Sequence, residues 1–353
     1  MDTRQLLLFA NSAPYRKKKG AKASFTFIDL FAGIGGTRLG FESAGGKCVF
    51  TSEWDKESQK TYYANFGEVP HGDITKIEAN TIPNFDILLA GFPCQPFSSI
   101  GQRQGFKHAT QGTLFYDVAR IIEEKKPKGF MLENVPGLLT HDKGKTFKVI
   151  LETLISLGYT VDYKVLDSSK FGVPQQRKRI YIVGFRDDLV EEDFKFVFPE
   201  GNNNKVYINK FLEKDAEGYS ISKHLQESYI YKKDDGRPLV VDSGSKVHVK
   251  TLVSTYHKIQ RLTSTFVKDG ETGLRLFTVN ECKAIMGFPK EFIVPVSRTQ
   301  MYRQFGNSVV VPVISAVAKN IAQVLEKSDS SQVILSEEKI DNPPELSLAS
   351  LNV

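Results

Sequence analysis

Apolar residues along the first half of the chain come in short runs separated by polar, glycine-bearing turns. Phe25 to Phe31 is a β-prone apolar run, and Cys48 to Ser52, Phe85 to Ala90, Gly129 to Leu132, Thr160 to Leu166 and Arg179 to Phe185 repeat the pattern. Between them, Thr37 to Glu42, Leu114 to Glu124 and Lys145 to Leu157 read as helical segments. Strands alternating with helices predict an α/β fold whose mostly parallel sheet is covered on both faces. In such sheets ligands bind beyond the carboxyl ends of the strands, so the chemistry is expected in the loops that follow these runs.

After Arg186 the rhythm breaks. Residues from Glu191 to Lys258 form short mixed segments with Asn- and Gly-containing turns, and eleven basic residues balance eleven acidic ones. This region reads as a smaller, irregular unit, either a plain insertion or a specificity module. A regular pattern resumes at Thr278 to Met286, and Val309 to Leu325 reads as one amphipathic helix returning to the first domain. The expected division is a basic N-terminal tail over 1–24, a first domain over 25–190, a second over 191–300, a returning helix over 301–326 and a polar C-terminal tail over 327–353. The charge run from Tyr15 to Lys22 lacks apolar periodicity, as a solvated tail does.

With 353 residues, 41% hydrophobic and 25% charged, the chain has the composition of a folded enzyme rather than a disordered segment. No apolar run reaches the length of a membrane span, and Leu6 to Ala10 is too short for a secretory signal, so a cytoplasmic protein without membrane attachment is expected. Cys48, Cys94 and Cys282 are too few and too scattered for a disulfide framework or a metal cluster. The net charge is +6, but the stretch from Lys327 to Val353 holds two lysines and five carboxylates, which leaves +9 on the rest. A body that basic suits a polyanionic partner, provided a mechanism stands beside the charge.

The turn Asp29-Leu-Phe-Ala-Gly33-Ile-Gly35-Gly36-Thr-Arg38 lets a backbone approach a ligand closely, yet it carries Arg38 where a dinucleotide fingerprint needs glycine. It therefore suits a nucleoside-type ligand without a pyrophosphate, or serves only as a tight connection. Glu53, 20 residues after Gly33 and at the end of the next apolar run, can accept hydrogen bonds from both hydroxyls of a ribose. Trp54 either stacks on an adenine ring or fills the core. Asp73 either accepts from an adenine amino group or closes a turn.

Cys94 follows the apolar strand Phe85 to Ala90 in a loop stiffened by Pro93 and Pro96, the position where this fold presents ligands, whereas Cys48 and Cys282 sit inside apolar or helical patterns and read as structural. At the next strand end, Glu133 in Phe130-Met-Leu-Glu133-Asn134-Val135 can act as a proton donor if burial raises its pKa. In Gln175-Gln-Arg177-Lys-Arg179 the two arginines share a strand face, where they hold a carbonyl oxygen or a phosphate, or lie solvated on an exposed strand.

Five segments, Asp29 to Gly36, Gly91-Phe-Pro-Cys-Gln-Pro-Phe-Ser98, Glu133-Asn-Val135, Gln175 to Arg179 and Gln304-Phe-Gly-Asn-Ser-Val309, resemble in kind and order the motif set of the DNA (cytosine-5) methyltransferases, most closely the bacterial type II restriction-modification enzymes. The resemblance spans Phe25 to about Leu325. It implies a Rossmann-like S-adenosylmethionine-dependent methyltransferase domain with a smaller, irregular target-recognition domain over about Glu191 to Leu274. It also implies S-adenosylmethionine as cofactor, double-stranded DNA as substrate, and functional pairing with a restriction endonuclease without a stable complex. Monomeric action is expected.

By the same resemblance Cys94 is the nucleophile, Glu133 serves ring N3 of cytosine and Arg179 holds its O2. Phe31, Gly33, Ile34, Glu53, Trp54, Asp73, Ile74, Pro93, Leu114, Asn307 and Val309 line the cofactor pocket. Ser98 and Arg177 contact the DNA backbone or seat the displaced nucleotide, and Gln260 and Arg261, in the polar stretch Ser254 to Thr265, are candidate readers of base edges. One departure is Asn280, where the family usually carries Arg; Glu281 beside it is retained. A branch of the family acts on transfer RNA, so an RNA (cytosine-5) methyltransferase is the alternative reading; intact Cys94, Glu133 and Arg179 argue against a DNA-binding protein without catalysis.

Overall fold

The computed structural model describes residues 23–93, 114–202 and 204–341, with side chains as far as residue 330. Strands β1 (Phe25–Leu30), β2 (Gly46–Ser52), β3 (Ile87–Ala90), β4 (Gly129–Asn134), β5 (Tyr159–Asp167) and β6 (Lys178–Arg186) form one sheet in the order β2-β1-β3-β4-β6-β5. The first four run parallel, as the alternating pattern predicts. β6 lies antiparallel to both β4 and β5. The ten residues 168–177 that join β5 to β6 are too few for the crossover a parallel pair needs.

The central strands β1, β3, β4 and β6 are apolar on both faces. Phe25, Phe27, Ile87, Leu89, Met131, Tyr181 and Val183 belong to one core cluster, and Ile28, Leu30, Leu88, Ala90, Leu132, Ile180 and Ile182 to another. Helices α3 (Leu114–Lys125) and α4 (Lys145–Ser156) cover the second face, contributing Val118, Ile122, Ile150 and Leu154. The first face is covered by α1 (Gly36–Ser43) and by the long helix that returns from the far end of the chain. The period-2 alternation puts Asp29, Glu133, Arg177 and Arg179 on this first face, with Phe27, Met131 and Tyr181.

α2 (Lys56–Phe66) follows β2, and α5 (Val279–Met286), α6 (Arg298–Asn307) and α7 (Val311–Asp341) close the chain. The single helix expected over Val309 to Leu325 begins instead at Val311, where Pro312 fits a first helical turn that has no use for its missing N–H. It also runs into the stretch expected to be a polar tail, since no glycine or proline interrupts it before Pro343. Gly40 allows α1 and α7 to touch, because a Cβ there would lie 2.3 Å from Ile314 Cγ2. The stretch Arg298–Ser330 is long and apolar enough to cross a membrane, but 56% of its most apolar window is buried within the protein, so that surface is spent on the core.

Between β6 and α5 regular structure is sparse: β7 (Leu239–Val241) and β8 (Thr265–Val267) form a two-stranded parallel pair among turns. Polar side chains hold this region. Arg275 and Glu281, both fully buried, form a two-pronged ion pair at 2.9 and 2.9 Å, and Asp269 meets Arg275 Nε at 2.8 Å. Glu281 also closes a capping box with Thr278 at the start of α5. Asn280 donates to Glu213 Oε1 at 2.8 Å, so the residue that departs from the family pattern still joins this network. The apolar residues of the region, including Leu252, Tyr256 and Phe266, continue the first-face core.

Candidate active site

The sheet register gathers the expected residues at one edge. Leu30 lies beside Ser52 and Ala90, and Ala90 beside Leu132, so Phe31, Glu53, Gly91 and Glu133 begin one step beyond the same level. Because β6 runs the other way, its first residues arrive there too, with Tyr181 opposite Glu133.

At the first turn Phe31, Gly33 and Gly35 adopt positive φ of 57°, 55° and 87°. Side chains other than glycine rarely adopt this geometry, and Phe31 holds it at a strand end, where such strain collects at functional sites. A Cβ on Gly33 would meet nothing within 4 Å, so its backbone faces open space. Glu53 anchors the turn: Oε2 accepts from Gly33 N at 2.8 Å and Oε1 from Asp55 N at 2.7 Å. Burial pushes the Glu53 carboxyl up, and these backbone donors pull it back. Each oxygen keeps a lone pair for a further donor.

Trp54 is 74% exposed, which removes the core-filling alternative and leaves a bare indole beside Glu53. Asp73 closes its own turn, accepting at Oδ1 from Thr75 N at 3.1 Å and Thr75 Oγ1 at 2.8 Å, and these bonds hold its pKa low. Ile34 and Ile74 are buried, Leu114 opens α3 half-buried, and Pro93 and Asn307 are exposed. Val309 packs on the glycine turn from the other end of the chain, since a Cβ on Gly36 would lie 2.9 Å from Ser308 Oγ and 3.0 Å from Val309 Cγ2.

Glu133 Oε1 meets Arg179 Nε at 3.0 Å. Burial raises the Glu133 pKa, opposed first by Arg179 and then by Arg177. The carboxyl also stands over the next strand end, with Oε2 3.6 Å from the place a Cβ would occupy on Gly91. Asn134, which sequence reasoning passed over, donates to Phe92 O at 2.9 Å and so fixes the chain two residues before position 94. Cys94 and Ser98 lie outside the described residues. The other two cysteines are buried, as expected, and burial pushes the Cys48 thiol up to about 12, which makes it inert.

Two expectations need correction. Arg177 does not face a DNA backbone: it is 4% exposed, and its guanidinium donates to Leu252 O at 2.9 Å, Gly306 O at 3.0 Å and Ser308 O at 2.7 Å. Arg261 is not free to read a base edge either. Its Nε donates to Ile230 O at 2.9 Å, one terminal nitrogen donates to Asp235 Oδ2 at 2.9 Å, and the other to Lys233 O and Asp235 Oδ1. Residue type at a plausible spacing does not reveal that a long side chain has turned inward. Gln260 is half-buried, follows Ile259 in the left-handed region at φ 53°, and accepts from Thr263 Oγ1 at 3.1 Å.

Sequence reasoning also missed Asp29. It is 1% exposed, its Oδ2 has no partner among the described residues, and desolvation pushes its pKa up to about 8 against the pull of Arg38. The available signal was a lone carboxylate inside the apolar run of β1.

The chain matches the family described as C-5 cytosine-specific DNA methylase over residues 25–323. It belongs to that family. The enzyme is thus a DNA (cytosine-5) methyltransferase. It is 61% identical over 310 residues to the type II methyltransferase M.MspI of a Moraxella species, covering 88% of this chain and 73% of that one. With the type II methyltransferase M.BsuFI of Bacillus subtilis it shares 62% identity over 318 residues, or 90% and 76% of the two chains. Among solved structures, the S. pombe Dnmt2 methyltransferase superposes with a TM-score of 0.69 at 20% identity, over 86% of this enzyme and 99% of that chain. At that identity the likeness bears on the fold alone, which is the Rossmann-like methyltransferase fold with its central sheet.

Proposed function

We propose that the enzyme methylates C5 of a cytosine within one short double-stranded DNA sequence, with S-adenosylmethionine as donor, Cys94 as nucleophile and the target base turned out of the duplex. The observation that carries this reading is the half-buried Glu133–Arg179 pair at the sheet edge, whose carboxyl is held above its ordinary pKa beside the strand end that leads to Cys94. The type II relatives support a role in protecting host DNA from a cognate endonuclease. In this reading the enzyme acts in the cytoplasm as a monomer.

Cytosine C5 is a weak nucleophile, so the ring must first be activated. The Cys94 thiolate forms a bond to C6, and the displaced electron density moves through the ring toward N3. Glu133, whose pKa burial raises, gives a proton to N3, while Arg179 donates to O2. The resulting enamine is nucleophilic at C5. After methylation a water molecule takes the C5 proton, the C6–S bond breaks to return the Cys94 thiolate, and N3 gives its proton back to Glu133. None of these groups can reach a base stacked in a duplex, which is why the nucleotide must turn out.

S-adenosylmethionine, when bound, supplies an electrophilic methyl group. The first turn fits it: Gly33 offers open backbone, Glu53 keeps lone pairs for ribose hydroxyls, and Trp54 leaves an indole bare for an adenine. Phe31, Ile34, Asp73, Ile74, Pro93, Leu114, Asn307 and Val309 would complete the pocket, and Gln260 would face the target sequence. A duplex carrying fluorine at cytosine C5 tests the order of events, because the step that removes the C5 proton is blocked. The expected result is a denaturation-resistant protein–DNA adduct with the native enzyme and none with Cys94→Ser; an adduct formed equally by Cys94→Ser contradicts the reading.

A further inference from the structure

Leu252 lies in the irregular region, yet both its backbone polar atoms are held by side chains of the segment entering β6. Its N–H donates to Gln175 Oε1 at 2.6 Å, and its carbonyl accepts from Arg177 Nη1 at 2.9 Å. The backbones alongside are laced together: Val249 N donates to Pro174 O at 2.8 Å and Gln176 N to Val249 O at 3.0 Å. Thr251 Oγ1 adds a bond to Gln176 O at 2.8 Å.

The remaining arms reach elsewhere. Gln175 Nε2 donates to Ile285 O of α5 at 3.2 Å, and Arg177 Nη2 donates to Gly306 O and Ser308 O at the end of α6. That end of α6 touches the irregular region backbone to backbone, since a Cβ on Gly306 would lie 2.1 Å from Ser254 N. Its Ser308 and Val309 pack on Gly36 in the glycine turn. One guanidinium thus binds three carbonyls from two distant segments, and only a planar fork satisfies that geometry; a lysine ammonium cannot. Two residues further along the same strand face, Arg179 holds Glu133.

We propose that Gln175 and Arg177 are positioning residues that join target reading to chemistry. They fix the segment that starts at Leu252 against the Glu133–Arg179 pair and against the Ser308–Val309 side of the glycine turn. A recognition segment displaced by a wrong DNA sequence then displaces the groups that activate the base. The inference rests on the reading of residues from about Glu191 to Leu274 as the recognising region.

Arg177→Lys keeps the charge and loses the fork. On full-length enzyme, kcat on the cognate site is expected to fall about ten- to a hundredfold while KM for DNA moves less than about threefold, as a small misplacement of catalytic groups would produce. The ratio of kcat/KM between the cognate site and sites with one base pair changed should also shrink about tenfold. A lowered unfolding temperature with kcat per folded molecule and discrimination both unchanged overturns the proposal.

If Arg177→Lys does not fold, Thr251→Val, which removes only the bond to Gln176 O, should lower discrimination about two- to fivefold, and unchanged discrimination there overturns it equally. A chimera carrying residues 191–274 of a relative with another target separates the two readings. If it keeps the original site, the recognition reading fails and takes the proposal with it. If it takes the new site while the variants discriminate like the native enzyme, the joint alone is wrong.

Discussion

The sheet domain and the irregular region use buried arginines differently. At the sheet edge Arg179 is paired with Glu133, and both keep a little exposure, 16% and 14% for the side chains, so the pair remains open to a substrate. In the irregular region Arg275 and Glu281 are sealed at 0% and 0%, and Arg261 spends its guanidinium on Asp235 and two carbonyls. A domain with six paired strands satisfies its backbone through the sheet and can leave charged side chains over for chemistry. A region with two three-residue strands must recruit those side chains to satisfy its turns, and so has fewer to present.

The sharpest break of this contrast is at Glu133. Glu133→Gln removes the proposed proton donor and should lower kcat by about 10² to 10⁴ while leaving the fold intact. The sign with pH follows from the raised pKa: the protonated form persists above the ordinary carboxylate range and is lost as pH rises through the raised value. The native rate should therefore fall along an alkaline limb that the Gln variant lacks, as a pH–rate profile would reveal.

Glu281→Ala acts on the other side of the contrast. It leaves the fully buried Arg275 with Asp269 as its one carboxylate among the described residues, and should cost about 3 kcal/mol in a urea titration. A loss as small as that of a surface pair would mean that the irregular region is not held by its buried ions.

Asp29→Asn is milder. Between the ordinary value of 3.8 and about 8 the folded state holds a proton on Asp29 that the unfolded state has released, so native stability falls as pH rises through that window. The variant should lose that part of the decline and gain relative stability at pH 8, measured by denaturant unfolding at several pH values. Gln260→Ala should have the smallest effect, about tenfold in discrimination between target and near-target sites with little change in kcat on the target.

Much of the sheet domain was legible because apolar runs that cross a sheet once leave a period and a length in the sequence. All six strands fall within two residues of their expected runs. Strand direction leaves no such trace, and only the short link between β5 and β6 reveals that the sheet turns antiparallel there. Glu53, Glu133 and Arg179 could be picked out because each lies at a strand end, where alternation fixes face and level together. Trp54 could not be assigned, since an indole suits a core as well as a ring stack, and its exposure decides between them. Arg177 and Arg261 were misread for a related reason: their partners are mostly carbonyls far away in sequence, which no local pattern records.

The central claim is cytosine methylation on DNA through Cys94. Plasmid DNA incubated with the purified enzyme and S-adenosylmethionine, then mapped for 5-methylcytosine by bisulfite sequencing, tests it most directly. The account predicts methylation at one short recurrent sequence with the native enzyme and none with Cys94→Ser; a fully active Cys94→Ser protein would contradict it.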